Sequence, residues 1–163
     1  AHSLRFLPQK DLRFIAVVPD QPLSTHKARQ AIPQQVLHQD AVFNASRTAL
    51  YVGALMSGNY QYLSAALEDR LHQPYRIPLI TGTEAVFEAA KANGAYGAII
   101  SGAGSTLMAY ADPEKDCEEI AAAMINAFEK HGQRSTAHIL KLDFAGAREK
   151  ENNSECGCKK YLL

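Results

Sequence analysis

A two-layer α+β sandwich, with four mainly antiparallel strands and helices packed on one face, is the fold class this sequence predicts. Three observations carry that prediction. Four short runs have strand character, at 14–18, 97–101, 106–111 and 137–142. Long segments of helical character lie between them, over 40–57, from Thr81 to about Ala92, and over 113–131. The second and third strand runs are separated only by Gly102-Ala103-Gly104-Ser105, and adjacent strands joined by so tight a turn must pair antiparallel.

The elements follow in order. Phe14-Ile15-Ala16-Val17-Val18 is apolar and rich in β-branched residues, as buried strands are. Pro19 and Pro22 stop it, and the four residues from Pro19 to Pro22 have turn chemistry. Ser24 or Thr25 can cap a turn of helix over 26–30, which Pro33 interrupts. Over 40–57, Val42, Ala45, Ala49, Val52 and Met56 recur at steps of three and four, one face of a 3.6-residue period. Ala45, Ala49 and Gly53 keep part of that face small, suited to close approach by the core or by a partner.

Gly58-Asn59 is a stop, and 60–71 reads as a second, shorter helix. Pro74 and Pro78 bracket Tyr75-Arg76-Ile77, which is expected to be extended or irregular. Thr81 with Glu84 fits a capping box, and Asn93-Gly94 supplies a left-handed stop. Pro113 suits the first turn of the last long helix. Glu114, Asp116, Glu118 and Glu119 lie near its positive end and Lys130 and His131 near its negative end. The run 137–142 alternates polar and apolar, a strand with one wet face. Residues 148–163 are charged and polar without period, a mobile tail behind a domain of residues 1–147. This element order is ferredoxin-like in outline.

Composition narrows the function classes. The chain has 163 residues, with 17 Lys+Arg against 17 Asp+Glu, so it carries no general field for nucleic acid or an anionic membrane. No apolar run approaches the roughly 18–20 residues of a membrane span. With 3 cysteines, two of them in the tail, a disulfide scaffold is not expected, and the cytoplasm is the simplest location. The start, Ala1-His2-Ser3-Leu4, has no initiator Met and no leader pattern, so the chain reads as cut from something longer. The histidines show no metal-ligand spacing, and Cys156-Gly157-Cys158 stands alone in the tail, so no metal site is expected. Cys117, in the last helix, is expected to be packed rather than reactive.

Three segments carry candidate chemistry. The turn from Ser101 to Ser105 lacks the third glycine of a dinucleotide fingerprint and the Gly-Lys-Ser/Thr of a P-loop. It is either a plain hairpin turn or a small-residue concavity of bare N–H groups. Thr25 and Arg29 fall one turn apart on a short helix, where a hydroxyl and a guanidinium can hold a small carboxylate. Asp69-Arg70-Leu71-His72-Gln73-Pro74-Tyr75-Arg76 concentrates hydrogen-bonding groups before a proline-broken segment, and Arg76 can point into a cleft. No Ser/His/Asp or Cys/His set can be assembled by spacing, and no catalytic residue is assignable.

Together these segments resemble the C-terminal half of the homoserine kinase family in the GHMP kinase superfamily. The resemblance rests on Val17-Val18-Pro19-Asp20, Leu23-Ser24-Thr25-His26-Lys27-Ala28-Arg29, Leu37-His38-Gln39-Asp40-Ala41-Val42-Phe43-Asn44, the string from Asp69 to Arg76, and Gly97-Ala98-Ile99-Ile100-Ser101-Gly102-Ala103-Gly104-Ser105-Thr106. It implies ATP-dependent transfer of a phosphoryl group to the side-chain hydroxyl of L-homoserine, a step toward threonine, with Mg²⁺. It implies that Arg29 and Arg76 hold the substrate carboxylate and that Thr25 lies beside the reacting end or supports the substrate. Ser101, Gly102, Ala103, Gly104 and Ser105 would shape the cleft and support the phosphate loop; family members often have Pro where Ser105 stands. The family's ATP loop, of Pro-x-x-x-Gly-Leu-Gly-Ser-Ser-Ala type, belongs to an N-terminal kinase domain and does not occur in these 163 residues. The chain alone is therefore expected to be inactive and to bind neither ATP nor Mg²⁺. Two other readings remain at this point. One is an amino-acid-binding regulatory module that uses Arg29 and Arg76 without chemistry. The other is a dimerisation domain, a homodimer built on the small-residue helix face.

Overall fold

The computed structural model describes residues 5–145. The segments 1–4 and 146–163, including Cys156-Gly157-Cys158 and all of the expected tail, lie outside the described residues. Four strands, β1 (Arg13–Pro19), β2 (Gly97–Ile100), β3 (Leu107–Ala111) and β4 (Ser135–Lys141), form one sheet in the order β2-β3-β1-β4. All neighbours pair antiparallel, with Ile15 opposite Ala109 on one side and Ile139 on the other. With α5 (Thr83–Ala92) and α6 (Cys117–Glu129) the chain runs β1-α5-β2-β3-α6-β4, the ferredoxin-like pattern. Four helices are inserted between β1 and α5: α1 (Thr25–Gln30), α2 (His38–Ser57), α3 (Leu63–Ala66) and α4 (Gln73–Arg76).

Strand periodicity divides the apolar residues between two faces. Ile15, Val17, Ala98, Ile100, Leu107 and Ala109 point toward α5 and α6, where they pack on Val86, Ile120, Met124 and Phe128. Burying side chains of that size is worth about 2 kcal/mol each, so this layer is the main source of stability. The alternate residues Phe14, Ile99, Met108 and Tyr110 join a second cluster with Leu12, Ala54, Tyr60 and Leu63. The inserted helices thus cover part of the opposite face. Aromatic edges fix α2 there, with Tyr51 and Phe14 meeting Tyr110 at centroid distances of 6.3 and 5.0 Å.

Several local expectations change. The stretch 75–77 is helical, because α4 runs to Arg76 and a 3₁₀ turn, Ile77–Leu79, follows it. Pro74 lies in the first turn of α4, where its missing N–H is not needed. The expected helix 60–71 is a 3₁₀ turn, Tyr60–Tyr62, followed by the short α3. The Thr81–Glu84 capping box does not form: α5 starts at Thr83 behind Gly82, and the Thr83 hydroxyl donates to the Ile80 carbonyl at 2.7 Å. Ser24 makes no side-chain cap on α1. Asp116, not Pro113, opens α6, its carboxylate accepting from the Glu118 and Glu119 N–H groups at 3.1 and 3.0 Å. Cys117 is half-buried, and that burial pushes its thiol up from the ordinary range. On α2 the periodic face is turned outward: Val42 is 54% and Met56 44% exposed, whereas Ala54 is buried. No helix among the described residues is long and apolar enough to cross a membrane.

Candidate functional site

The site is built around the end of α4. Its formation starts with Asp69, whose carboxylate accepts hydrogen bonds from the N–H groups of Leu71 and His72, both at 2.9 Å, and of Gln73. These are donors that no helical carbonyl satisfies at a helix start. With those groups satisfied, α4 forms through Pro74. Gln73 then ties it to the sheet, its side-chain oxygen accepting from the Ile100 N–H at 3.0 Å and its amide nitrogen donating to the Leu67 carbonyl at 3.3 Å.

Arg76, the last residue of α4, is thereby aimed between two other elements. Its Nη1 donates to the Gly102 carbonyl at 2.8 Å and its Nε to the Ala28 carbonyl, in α1, at 3.3 Å. One guanidinium therefore joins α4, α1 and the glycine turn. The turn closes through the Ser101 N–H to the Thr106 carbonyl at 2.8 Å and the Gly104 N–H to the Ser101 carbonyl at 3.0 Å. Gly102 and Gly104 both have positive φ, +57° and +94°. Ser101, Ala103, Gly104 and Ser105 are half-buried, while Gly102 is exposed.

Thr25 and Arg29 begin and nearly end the six-residue α1, both exposed. Arg29 follows the residue whose carbonyl Arg76 grips, so its backbone adjoins the Arg76 guanidinium. Among the described residues, neither takes part in an ion pair, whereas Arg13, Arg47, Arg70 and Arg134 each meet a carboxylate. Arg76 also lines a cleft of about 460 Å³ between α2, α4 and the sheet. Arg47, Tyr51, Leu67, Gln73 and Tyr110 line it, and Thr25 and Arg29 do not. Burial pushes the Tyr110 hydroxyl well above its ordinary range, so it stays neutral.

Sequence reasoning placed Asp69 and Gln73 in its third candidate segment and Asn44 in a string of the resemblance, but gave none of the three a role. The available signal was an acid a few residues ahead of a proline, a helix-start pattern that the two prolines obscured. Burial raises the Asp69 pKa, but the hydrogen bonds from Gln73, Asn44, Leu71 and His72 outweigh it and hold the carboxyl below the usual 3.8. A carboxyl lowered in the folded state binds its proton more tightly when unfolded. Its stabilisation is present above the unfolded value and lost as pH falls through the folded one. Between pH 5 and 3, the melting temperature of the native chain is expected to fall about 3 °C further than that of Asp69→Asn, followed by circular dichroism. Equal falls would remove Asp69 from that dependence.

Comparison with known proteins bears on the family and the fold. Residues 50–130 match the family model described as GHMP kinases C terminal. The chain is 48% identical over 132 residues to a homoserine kinase of Picosynechococcus sp., covering 81% of this chain and 43% of that protein. It is 39% identical over 139 residues to a homoserine kinase of Desulfitobacterium hafniense, covering 85% and 46%. The chain thus spans less than half the length of the curated relatives it matches. Its fold superposes on the crystal structure of a homoserine kinase from Cytophaga hutchinsonii with a TM-score of 0.80 at 24% identity, covering 83% of this chain and 43% of that one. A Streptococcus pneumoniae phosphomevalonate kinase aligns at 0.58 and 16% identity, a likeness of fold alone. Residues 50–130, which carry α5, β2, β3 and α6 of this sheet, thus belong to the C-terminal domain family of the GHMP kinases.

Proposed function

We propose that the chain forms the substrate side of a cytoplasmic homoserine kinase, with an N-terminal kinase domain completing the enzyme. Arg29 and Arg76 hold the carboxylate of L-homoserine, and Thr25 lies beside the substrate. The observation that carries this reading is the Arg76 guanidinium, fixed by the Ala28 and Gly102 carbonyls and free of any acid among the described residues. A fixed guanidinium binds a carboxylate through two parallel N–H···O bonds and loses little entropy in doing so. The names of the relatives at 39–48% identity support the choice of substrate.

ATP with Mg²⁺ supplies the phosphoryl group in this reading, and the resemblance assigns the loop that holds ATP to the N-terminal kinase domain, since no Pro-x-x-x-Gly-Leu-Gly-Ser-Ser-Ala segment occurs in these 163 residues. What this chain contributes is position. Holding the carboxylate fixes where the hydroxyl at the far end of homoserine can reach, and phosphoryl transfer depends mainly on such alignment. An alcohol without the carboxylate would leave the guanidinium groups unpaired in the closed site, which is the source of discrimination. The product is an intermediate on the way to threonine.

The test has two arms. A coupled assay with ATP and L-homoserine on the 163-residue chain is expected to read blank. A chimera in which this chain replaces the matching 43% of the Picosynechococcus protein is expected to phosphorylate L-homoserine. A folded chimera that turns over no homoserine, or the isolated chain showing clear turnover, refutes the proposal.

A further inference from the structure

Two stretches of sequence, 40–47 and 68–73, meet around one carboxylate. Asp69 Oδ1 accepts from the Asn44 side-chain amide at 2.5 Å as well as from Leu71 N–H, while its Oδ2 serves His72 and Gln73. Asn44 returns the contact, its side-chain oxygen accepting from the Arg70 N–H at 2.8 Å. The Asp69 side chain is only 13% exposed, so water does not compete freely for these bonds. Outside this pair lies a charged brace. Arg47 meets Glu68 at 2.9 Å and Arg70 meets Asp40 at 3.3 Å. Both guanidinium groups lie over the Phe43 ring, at 4.2 and 3.9 Å from its centroid. Helix α2 therefore grips the loop that starts α4, although neither Asn44 nor Asp69 reaches the Gly102 or Ala28 carbonyls that receive Arg76.

We propose that Asn44 and Asp69 are positioning residues for substrate binding: by pinning the start of α4 to α2, they hold Arg76 in the orientation that bridges α1 and the glycine turn. The inference rests on the reading of Arg76 as a carboxylate ligand. The geometry argues for aim rather than bulk stability. Helix α4 is only four residues long, and a helix of one turn has no stability of its own. The Asp69 carboxylate fixes the front of that turn, the Gln73–Ile100 bond fixes its side, and Arg76 is what the turn presents. The main core, between the sheet and α5 and α6, contains neither Asn44 nor Asp69. Loss of either is therefore expected to leave the sheet intact and to release the guanidinium.

Two readouts test this. In the 163-residue chain, NMR follows hydrogen exchange of the Arg76 Nε–H, held by the Ala28 carbonyl, alongside the amides of Ile15 and Leu107 in the sheet. In Asn44→Ala and Asp69→Asn, exchange at Arg76 is expected to quicken about tenfold or more, the loss of a hydrogen-bonded orientation, and by clearly more than at the sheet amides. In the chimera, the same substitutions are expected to raise KM for L-homoserine about tenfold while kcat changes less. Asn44→Ala removes only the cross-brace and carries the test should Asp69→Asn not fold. Arg76 Nε–H exchange as slow as in the native chain overturns the proposal, as does an unchanged KM. A native chimera with no turnover refutes the homoserine reading instead, and the exchange measurement still decides whether Asn44 and Asp69 aim Arg76.

Discussion

Arg76→Ala is expected to raise KM for L-homoserine in the chimera about 100-fold or more. Two hydrogen bonds join a guanidinium to a carboxylate, each worth about 1.5–3 kcal/mol when one or both partners are charged. The larger part of the range applies if the closed site excludes water. Losing Arg76 has a second consequence, because the Ala28 and Gly102 carbonyls lose their donor. Helix α1 and the glycine turn then separate, and Thr25 and Arg29 shift with α1. Arg76→Lys separates the two effects. A lysine keeps the charge but cannot reach two carbonyls and a carboxylate from one planar fork, so an intermediate loss of about tenfold is expected. Arg134→Ala is the control: that side chain is 89% exposed, paired with Asp20 at 3.3 Å, and its removal leaves KM unchanged. A KM unchanged by Arg76→Ala would remove this arginine from substrate binding.

The sheet was legible in the sequence because each strand announces itself locally. The β-branched run at 14–18 and the small-residue turn between 101 and 106 needed no tertiary information, and all strand pairs are antiparallel as expected. The helix starts were read less well, since caps compete. Thr81 and Asp116 are both good capping residues, but only Asp116 sits where its helix begins, and Gly82 starts α5 instead. The face of α2 shows a different limit. Periodicity finds Val42, Ala45, Ala49 and Met56 on one stripe but does not say what meets it. In the structure Tyr51, Ala54 and Leu55, on another face, reach the second core cluster. At the candidate site, the resemblance drew attention to Thr25, Arg29, Arg76 and residues 101–105, and their chain positions alone left their spatial relation open. The Asn44–Asp69 contact spans 25 residues and depends on the path of α2, which no local pattern encodes. It joins two of the strings that carried the resemblance, which gives those strings a shared structural reason.

Gly104→Ala is the second large effect expected, a loss of about 3 kcal/mol of stability, read from the urea midpoint of the 163-residue chain. Part of the cost is backbone. At φ +94° an L side chain is strained by about 1–2 kcal/mol before it touches anything. The rest is space. A Cβ at Gly104 would lie 2.9 Å from Ile80 Cδ1 and 3.2 Å from Leu23 Cδ2. Ile80 is buried against the main core, so its retreat disturbs its neighbours, while Leu23, half-buried on the same cluster, gives more readily. Gly102→Ala isolates the backbone part. Its φ is also positive, at +57°, but nothing lies within 4 Å of the added carbon, so about 1 kcal/mol is expected. Because Gly102 is also the residue whose carbonyl receives Arg76, the pair divides the turn into two tasks. Gly104 lets the turn lie flat on the core, and Gly102 presents the carbonyl that anchors the guanidinium. Equal losses at the two positions would show that the space around Gly104 relaxes freely, and the turn would then not be seated on Ile80 and Leu23 as described.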